Sequence, residues 1–159
     1  MFFIKIINDR NRDLLKNFIE NLWGSDVVVS NCVKYQISLL EGFVAYIGDE
    51  IVGLLTYRVA DNALEVISID SFQENNGIGS SLLELAIHKA KNLSLHKVWL
   101  MTTNDNLPAI QFYAHRDFRK KQVHLYSVRK ARQKYPEIPE KGYQDIPIMH
   151  ELEFEYTIS

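Results

Sequence analysis

A single cysteine, Cys32, stands in the whole chain. That excludes an intrachain disulfide framework and a cysteine-rich zinc site, and it fits a reducing compartment. Neither sign of charge dominates: 18 basic residues against 20 acidic ones leave a formal net charge of −2, so nothing draws the molecule to nucleic acid or to an anionic membrane. No apolar run approaches the ~20 residues that a bilayer-spanning helix needs. The apolar start, Met1-Phe-Phe-Ile-Lys-Ile-Ile7, is too short for a signal-peptide core and lacks a basic leader and a small-residue cleavage site. It reads as a first strand, and without an export signal the expected location is the cytoplasm. No repeat, low-complexity tract or interdomain linker interrupts the chain. His88 and His96 lack acidic partners at metal-ligand spacing, so no metal site is expected.

What remains is the composition of an ordinary globular protein, 47% hydrophobic and 24% charged over 159 residues, enough for one domain, 1–159, with a self-sufficient core. The stretch Ser71-Phe-Gln-Glu-Asn-Asn-Gly-Ile-Gly-Ser-Ser81 organises it. A β-like run, Leu64 to Asp70, leads in. A helical pattern follows from Ile78 to Leu93, apolar at 78, 82, 83, 85, 86, 87 and 90. Backbone N–H groups at a helix start lack internal partners and carry partial positive charge, and Gly77 and Gly79 let an anion approach the main chain. The physical reading is a phosphate cradle; the rival is a plain structural turn, since Asn76-Gly77 also suits a hairpin. A dinucleotide fingerprint would want a third glycine near 82, where Leu82 stands.

Around this stretch, Asn8 to Asn11 offers caps for an amphipathic helix over Arg12–Trp23, with Leu15, Phe18, Ile19 and Leu22 on one side and Gly24 as its stop. Val27 to Val29 is a short strand or extended loop, and 30–41 is ambiguous. Gly42–Ile47 and Ile51–Val59 form a hairpin about Gly48-Asp49-Glu50, and Asp61-Asn62 turns into the fourth strand, Leu64–Ile69. Lys97–Thr102 is a fifth strand, expected parallel to the fourth across a helical crossover. Asn106 and Pro108 open another helix. Phe118–Ser127 is strand-like, Val128–Tyr135 a short basic helix, and 136–147 a proline-containing loop. Ile148–Ile158 alternates into a terminal strand with an acidic stripe, Glu151, Glu153 and Glu155, read as an exposed face.

Two motifs at this spacing, Glu74-Asn-Asn-Gly77-Ile-Gly79 and Asn106-Leu-Pro-Ala109-Ile-Gln-Phe-Tyr113-Ala-His-Arg-Asp-Phe118, resemble the Gcn5-related N-acetyltransferase (GNAT) superfamily over nearly the whole chain. Gly53-Leu-Leu-Thr-Tyr57, Thr102-Thr-Asn-Asp-Asn106 and Gly142-Tyr-Gln-Asp-Ile-Pro147 are similar to one bacterial subgroup. Two positions depart from the pattern. Glu74 replaces the usual Arg/Gln, so its carboxylate is expected to turn outward. Asp117 replaces a glycine, and aspartate tolerates left-handed angles better than most residues.

The resemblance implies an α+β fold, a three-layer α/β/α arrangement with a mostly antiparallel twisted sheet splayed between the fourth and fifth strands. It implies acetyl-CoA as co-substrate, its pyrophosphate on the backbone of Glu74, Asn75, Asn76, Gly77, Ile78, Gly79 and Ser80, its pantetheine arm along Ile67, Ser68 and Ile69, and Asn106 on the cofactor through its amide. Near Ile69 a backbone N–H would polarise the thioester carbonyl, and Tyr113 would protonate the departing thiolate. The implied reaction is acetyl transfer to the primary amine of a small molecule by direct attack. The alternative is a non-catalytic acyl-CoA-binding module; a dinucleotide-binding domain ranks third. Asn106 has a rival reading as a helix cap, and Tyr113 as core packing. Glu65 is the first candidate general base, since strand parity would place it on one face with Ile67 and Ile69; His124 is second, and water could serve instead. The acceptor would lie against the first helix, residues 24–41 and the loop 136–147. An edge strand near the C-terminus could pair with a second copy, leaving monomer and homodimer both open.

Overall fold

The strands form where β-branched and aromatic residues run between turns of the right chemistry. The computed structural model describes residues 1–73 and 76–158. Its elements are β1 (Phe3–Ile6), α1 (Arg12–Trp23), β2 (Val27–Ser30), β3 (Val33–Gln36), a 3-10 turn (Ile37–Leu39), β4 (Glu41–Ile47), β5 (Glu50–Ala60), β6 (Ala63–Ser71), α2 (Ile78–Asn92), β7 (Lys97–Thr103), α3 (Leu107–Ala114), β8 (Arg119–His124), α4 (Ser127–Lys134), a second 3-10 turn (Tyr143–Asp145) and β9 (Glu151–Thr157). They divide into two compact units. One comprises Met1–Val28, Tyr35–Val98 and Ile158–Ser159, the other Val29–Lys34 and Trp99–Thr157.

In the first unit the strand order is β1-β4-β5-β6, every pair antiparallel. Asp61 and Asn62, at φ 53° and 59°, make the two-residue turn between β5 and β6 in the left-handed conformation that matches strand twist. One face of this sheet carries Val44 and Leu54 into a cluster with Ile7, Leu15, Ile19 and Ile37. Leu15, Ile19, Val44 and Leu54 have no exposed surface, and each such side chain contributes ~1.5–3 kcal/mol. The other face meets α2. There β5 presents Gly53, and a Cβ on it would lie 2.5 Å from Ile78 Cγ2, so the start of α2 seats directly on backbone.

Three local expectations are corrected. Asn11 precedes α1 but does not cap it; its Oδ1 accepts from Asn8 N–H at 2.9 Å and its Nδ2 donates to the Ile6 carbonyl at 3.0 Å, fixing the turn before the helix. Leu22 is 49% exposed, in the last turn of α1 before Gly24 ends the helix. The ambiguous stretch 30–41 resolves into β3, which pairs with β2 as a separate ribbon, and the first 3-10 turn.

The second unit orders its strands β7-β9-β8. Its core is aromatic: Tyr113, Phe118 and Phe154 are 5%, 3% and 3% exposed. The acidic stripe of β9 is not an exposed face. Glu151 is buried and accepts from Asn31 N–H at 3.0 Å. Glu153 pairs with His124 at 2.9 Å and Glu155 with Lys121 at 3.9 Å. These partners sit on β8, the neighbouring strand, which single-strand periodicity does not reveal. The architecture is the largely antiparallel α+β fold that the resemblance implied. Among the described residues no helix is long and apolar enough to cross a membrane.

Candidate functional site

The start of α2 is open. Its N-cap is Gly77 at φ 72°, ψ 12°, a left-handed conformation, and no side chain among the described residues caps it. Among the described residues a Cβ at Gly77 would meet nothing within 4 Å. The glycine is therefore there for its backbone angle. Ile78 buries its side chain to 1% exposure and offers the cradle only its N–H. Gly79 and Ser80 follow in the first turn. Asn76 turns back, its Nδ2 donating to Gln73 Oε1 at 2.9 Å. Glu74 and Asn75, and with them the expected outward turn of the Glu74 carboxylate, lie outside the described residues.

β6 carries a bulge that reassigns the candidate residues. Thr56 pairs with Ser68, but Tyr57 pairs with Val66, so Ile67 is the extra residue. Residues opposite one another in an antiparallel pair share a face. Glu65 opposes Arg58, Ser68 opposes Thr56, and Asp70 opposes Leu54, so these three project to the α1 side. Ile69 opposes Leu55 and goes with Gly53 to the α2 side. The expected parity of Glu65 with Ile67 and Ile69 is therefore wrong: a one-residue insertion inverts the alternation. The bulge leaves Glu65 and Ser68 together on the face that α1 covers.

That face is polar where the core ends. Glu65 is 3% exposed and accepts from Arg58 Nη1 at 3.2 Å; Arg58 also bonds the Tyr35 side chain. Thr56 Oγ1 and Ser68 Oγ are 2.6 Å apart. Asp70 is half-buried, and burial pushes its carboxyl up from 3.8 to about 6. Sequence reasoning passed over Asp70. Its signal, an acidic residue at the apolar end of a strand, becomes visible only when the bulge sets its direction.

In the second unit, Asn106 and Tyr113 belong to one helix. Asn106 is the N-cap of α3, accepting from Ala109 N–H at 3.3 Å, and is itself exposed. The Tyr113 ring lies 5.4, 5.8 and 6.0 Å from the rings of Phe112, Phe118 and Phe154. Asp117 has φ 66°, so the left-handed turn survives the loss of the motif glycine, and Phe118 N–H closes it on the Tyr113 carbonyl at 3.1 Å. His124, the second candidate base, is engaged by Glu153.

Two of the three further segments singled out in the sequence, 102–106 and 142–147, are each other's partners. Asp105, 6% exposed, accepts from the Thr103 hydroxyl at 2.5 Å and from Tyr143 N–H at 2.9 Å. Asn104 Oδ1 accepts from Met149 and His150 N–H at 2.8 and 3.0 Å, and its Nδ2 donates to the Pro147 carbonyl at 2.9 Å. Gly142 packs against the Asp105 carboxylate, leaving no room for a Cβ. The loop 136–150 is thus a strap held by the two residues that precede Asn106. No group of three or more potential metal ligands occurs among the described residues.

A family model described as the acetyltransferase (GNAT) family matches residues 11–118. The uncharacterized protein YxbD of Bacillus subtilis (strain 168) is 39% identical over 142 residues, 89% of each chain. Among solved structures, an acetyltransferase of Bacillus subtilis in complex with CoA superposes with a TM-score of 0.68 at 19% identity, covering all of both chains. A GNAT family acetyltransferase of Elizabethkingia anophelis with acetyl-CoA bound gives 0.69 at 20% identity, covering 99% of this chain and 98% of its own.

Proposed function

Since the chain belongs to the GNAT acetyltransferase family, we propose that it moves the acetyl group of acetyl-CoA to the primary amine of a small molecule by direct attack. The observation that carries the reading is the open start of α2 at Gly77, immediately beyond β6. Uncapped N–H groups on a helix start bind phosphate oxygens through hydrogen bonds and the helix dipole. In this proposal the backbone from Glu74 to Ser80 holds the pyrophosphate, Ile67 to Ile69 hold the pantetheine arm, and the Asn106 amide contributes a further contact. Acetyl-CoA, when bound, supplies an activated thioester. The chain contributes a backbone N–H near Ile69 to polarise the carbonyl and the Tyr113 hydroxyl as proton donor to the leaving sulfur. Glu65, beside Arg58, takes the acceptor's proton through water.

The shift in melting temperature on adding acetyl-CoA tests the cofactor, with CoA, NAD and ATP as comparators. At a hundredfold excess over the dissociation constant a ligand stabilises the native state by ~2.7 kcal/mol, a rise of about 5–10 °C for a chain of this length. A rise with acetyl-CoA and CoA alone is expected. A rise with NAD or ATP instead, or with nothing, overturns the reading. Tyr113→Phe separates catalysis from mere binding: turnover falls by ~10² or more while the CoA-induced shift is kept.

A further inference from the structure

We propose that Asp70 and the aromatic group Phe18, Trp23 and Phe72 form an acceptor-recognition surface that selects a primary ammonium carried on an aromatic arm. This rests on the acetyltransferase reading for its purpose, and on the first unit alone for its geometry. Asp70 opposes Leu54, which faces α1. The ladder continues one step further, with Phe72 N–H donating to the Val52 carbonyl at 2.8 Å, so Asp70 and Phe72 project to the same side, about 7 Å apart along the strand. Phe72 meets α1 there, its ring 5.3 Å from Phe18 and 6.1 Å from Trp23, both at steep interplanar angles. Trp23 ends α1 with 44% of its surface exposed.

The two halves of this surface ask for one ligand. A half-buried carboxylate normally has a cation or donors to offset its lost hydration. Asp70 has no hydrogen-bond or ion-pair partner among the described residues, whereas Glu65, on the same face, has Arg58. A ligand ammonium would fill that role. Tilted rings beside it, one of them open, accept a further ring edge-to-face. Asp70 is also next in sequence to Ile69, near which the proposed function puts the thioester, so an amine on Asp70 is close to the acyl carbon. A short alkylamine would satisfy the carboxylate and leave the rings uncovered. A diamine would bring a second charge against them, and a carboxylate ligand would be repelled.

The test is equilibrium binding of 2-phenylethylamine to the full chain by calorimetry, with ethylamine, 1,4-diaminobutane and 3-phenylpropionate as comparators. Wild-type protein is expected to bind 2-phenylethylamine at least tenfold more tightly than either alkylamine and to show no binding of 3-phenylpropionate. Asp70→Asn, which keeps the shape, and Trp23→Ala, at an exposed helix end, should each weaken 2-phenylethylamine at least tenfold, and Trp23→Ala should leave ethylamine unchanged. The proposal is overturned by equal affinity for ethylamine or 1,4-diaminobutane, by unaltered binding in Asp70→Asn, or by no binding of 2-phenylethylamine. The acetyl-CoA melting shift is measured on the same three proteins. A shift kept in all three alongside unselective amines sinks this proposal and spares the acetyltransferase reading; selective amine binding with no acetyl-CoA shift does the reverse.

Discussion

Asp70 shows how one side chain couples stability to function. Burial raises its carboxyl from 3.8 to about 6, so the folded chain holds that proton more tightly than the unfolded chain does. Between those two values stability therefore falls as pH rises, and above about 6 the ionised, partly desolvated group costs at most ~3 kcal/mol. Asp70→Asn is expected to raise the urea midpoint at pH about 7.5. The advantage should shrink as pH falls through about 6 and vanish near 4, as urea titrations at several pH values would show; a constant advantage would mean that Asp70 does not titrate in this range. Gly77 is the other residue whose chemistry is set by backbone. Alanine at φ 72° costs ~1–2 kcal/mol, and the new methyl enters the space above the helix start. Gly77→Ala should lower the melting temperature and also cut the further rise on adding CoA. Both positions differ in legibility. Gly77 is readable from its motif, whereas Asp70 acquires its direction from an extra residue three places earlier, which no alternation pattern encodes.

At the scale of elements, two contacts position the site residues. The first is α2 on β5 at Gly53. A Cβ there meets Ile78 Cγ2 at 2.5 Å, so Gly53→Ala must displace the Ile78 side chain or the first turn of α2 that carries it. CoA affinity should drop about tenfold or more although no proposed cofactor contact is altered; unchanged affinity would show that the helix start is not held by this seat. The second is the strap. Asn104→Ala removes the hydrogen bonds that hold Pro147, Met149 and His150, each worth ~0.5–1.5 kcal/mol. Limited proteolysis should then cut between 136 and 148 in the variant and spare the wild type. The helices, and the turns at Gly48 and Asp61-Asn62, were legible because their signals are local. The strap was not: Asn104 and Pro147 lie 43 residues apart, and each segment reads alone as an irregular polar stretch.

For the whole molecule, the order of strands and helices together with the two motifs carried the resemblance that implied the fold class, and few arrangements bury the apolar faces of such a series of elements. The Glu151, Glu153 and Glu155 stripe was misjudged for the complementary reason. One strand's periodicity tells which residues share a face but not what lies opposite, and β8 brings His124 and Lys121 to it. The same blindness applies to the proposed acceptor surface, which needs α1 and the end of β6 to bring Trp23, Phe18, Phe72 and Asp70 to one side.

By itself the sequence determined most of the elements and their order, the glycine-bearing helix start at Gly77 and the family resemblance, because helix periodicity, turn residues and contiguous motifs are carried by neighbours along the chain. The tertiary structure decided which carboxylate is paired and which, among the described residues, has no partner. Arg58 meets Glu65 through strand register, the bulge at Ile67 aims Asp70 toward α1, and the aromatic rings around Phe72 come from two elements about fifty residues apart. Charge pairing and face direction depend on distances that close only when the chain folds.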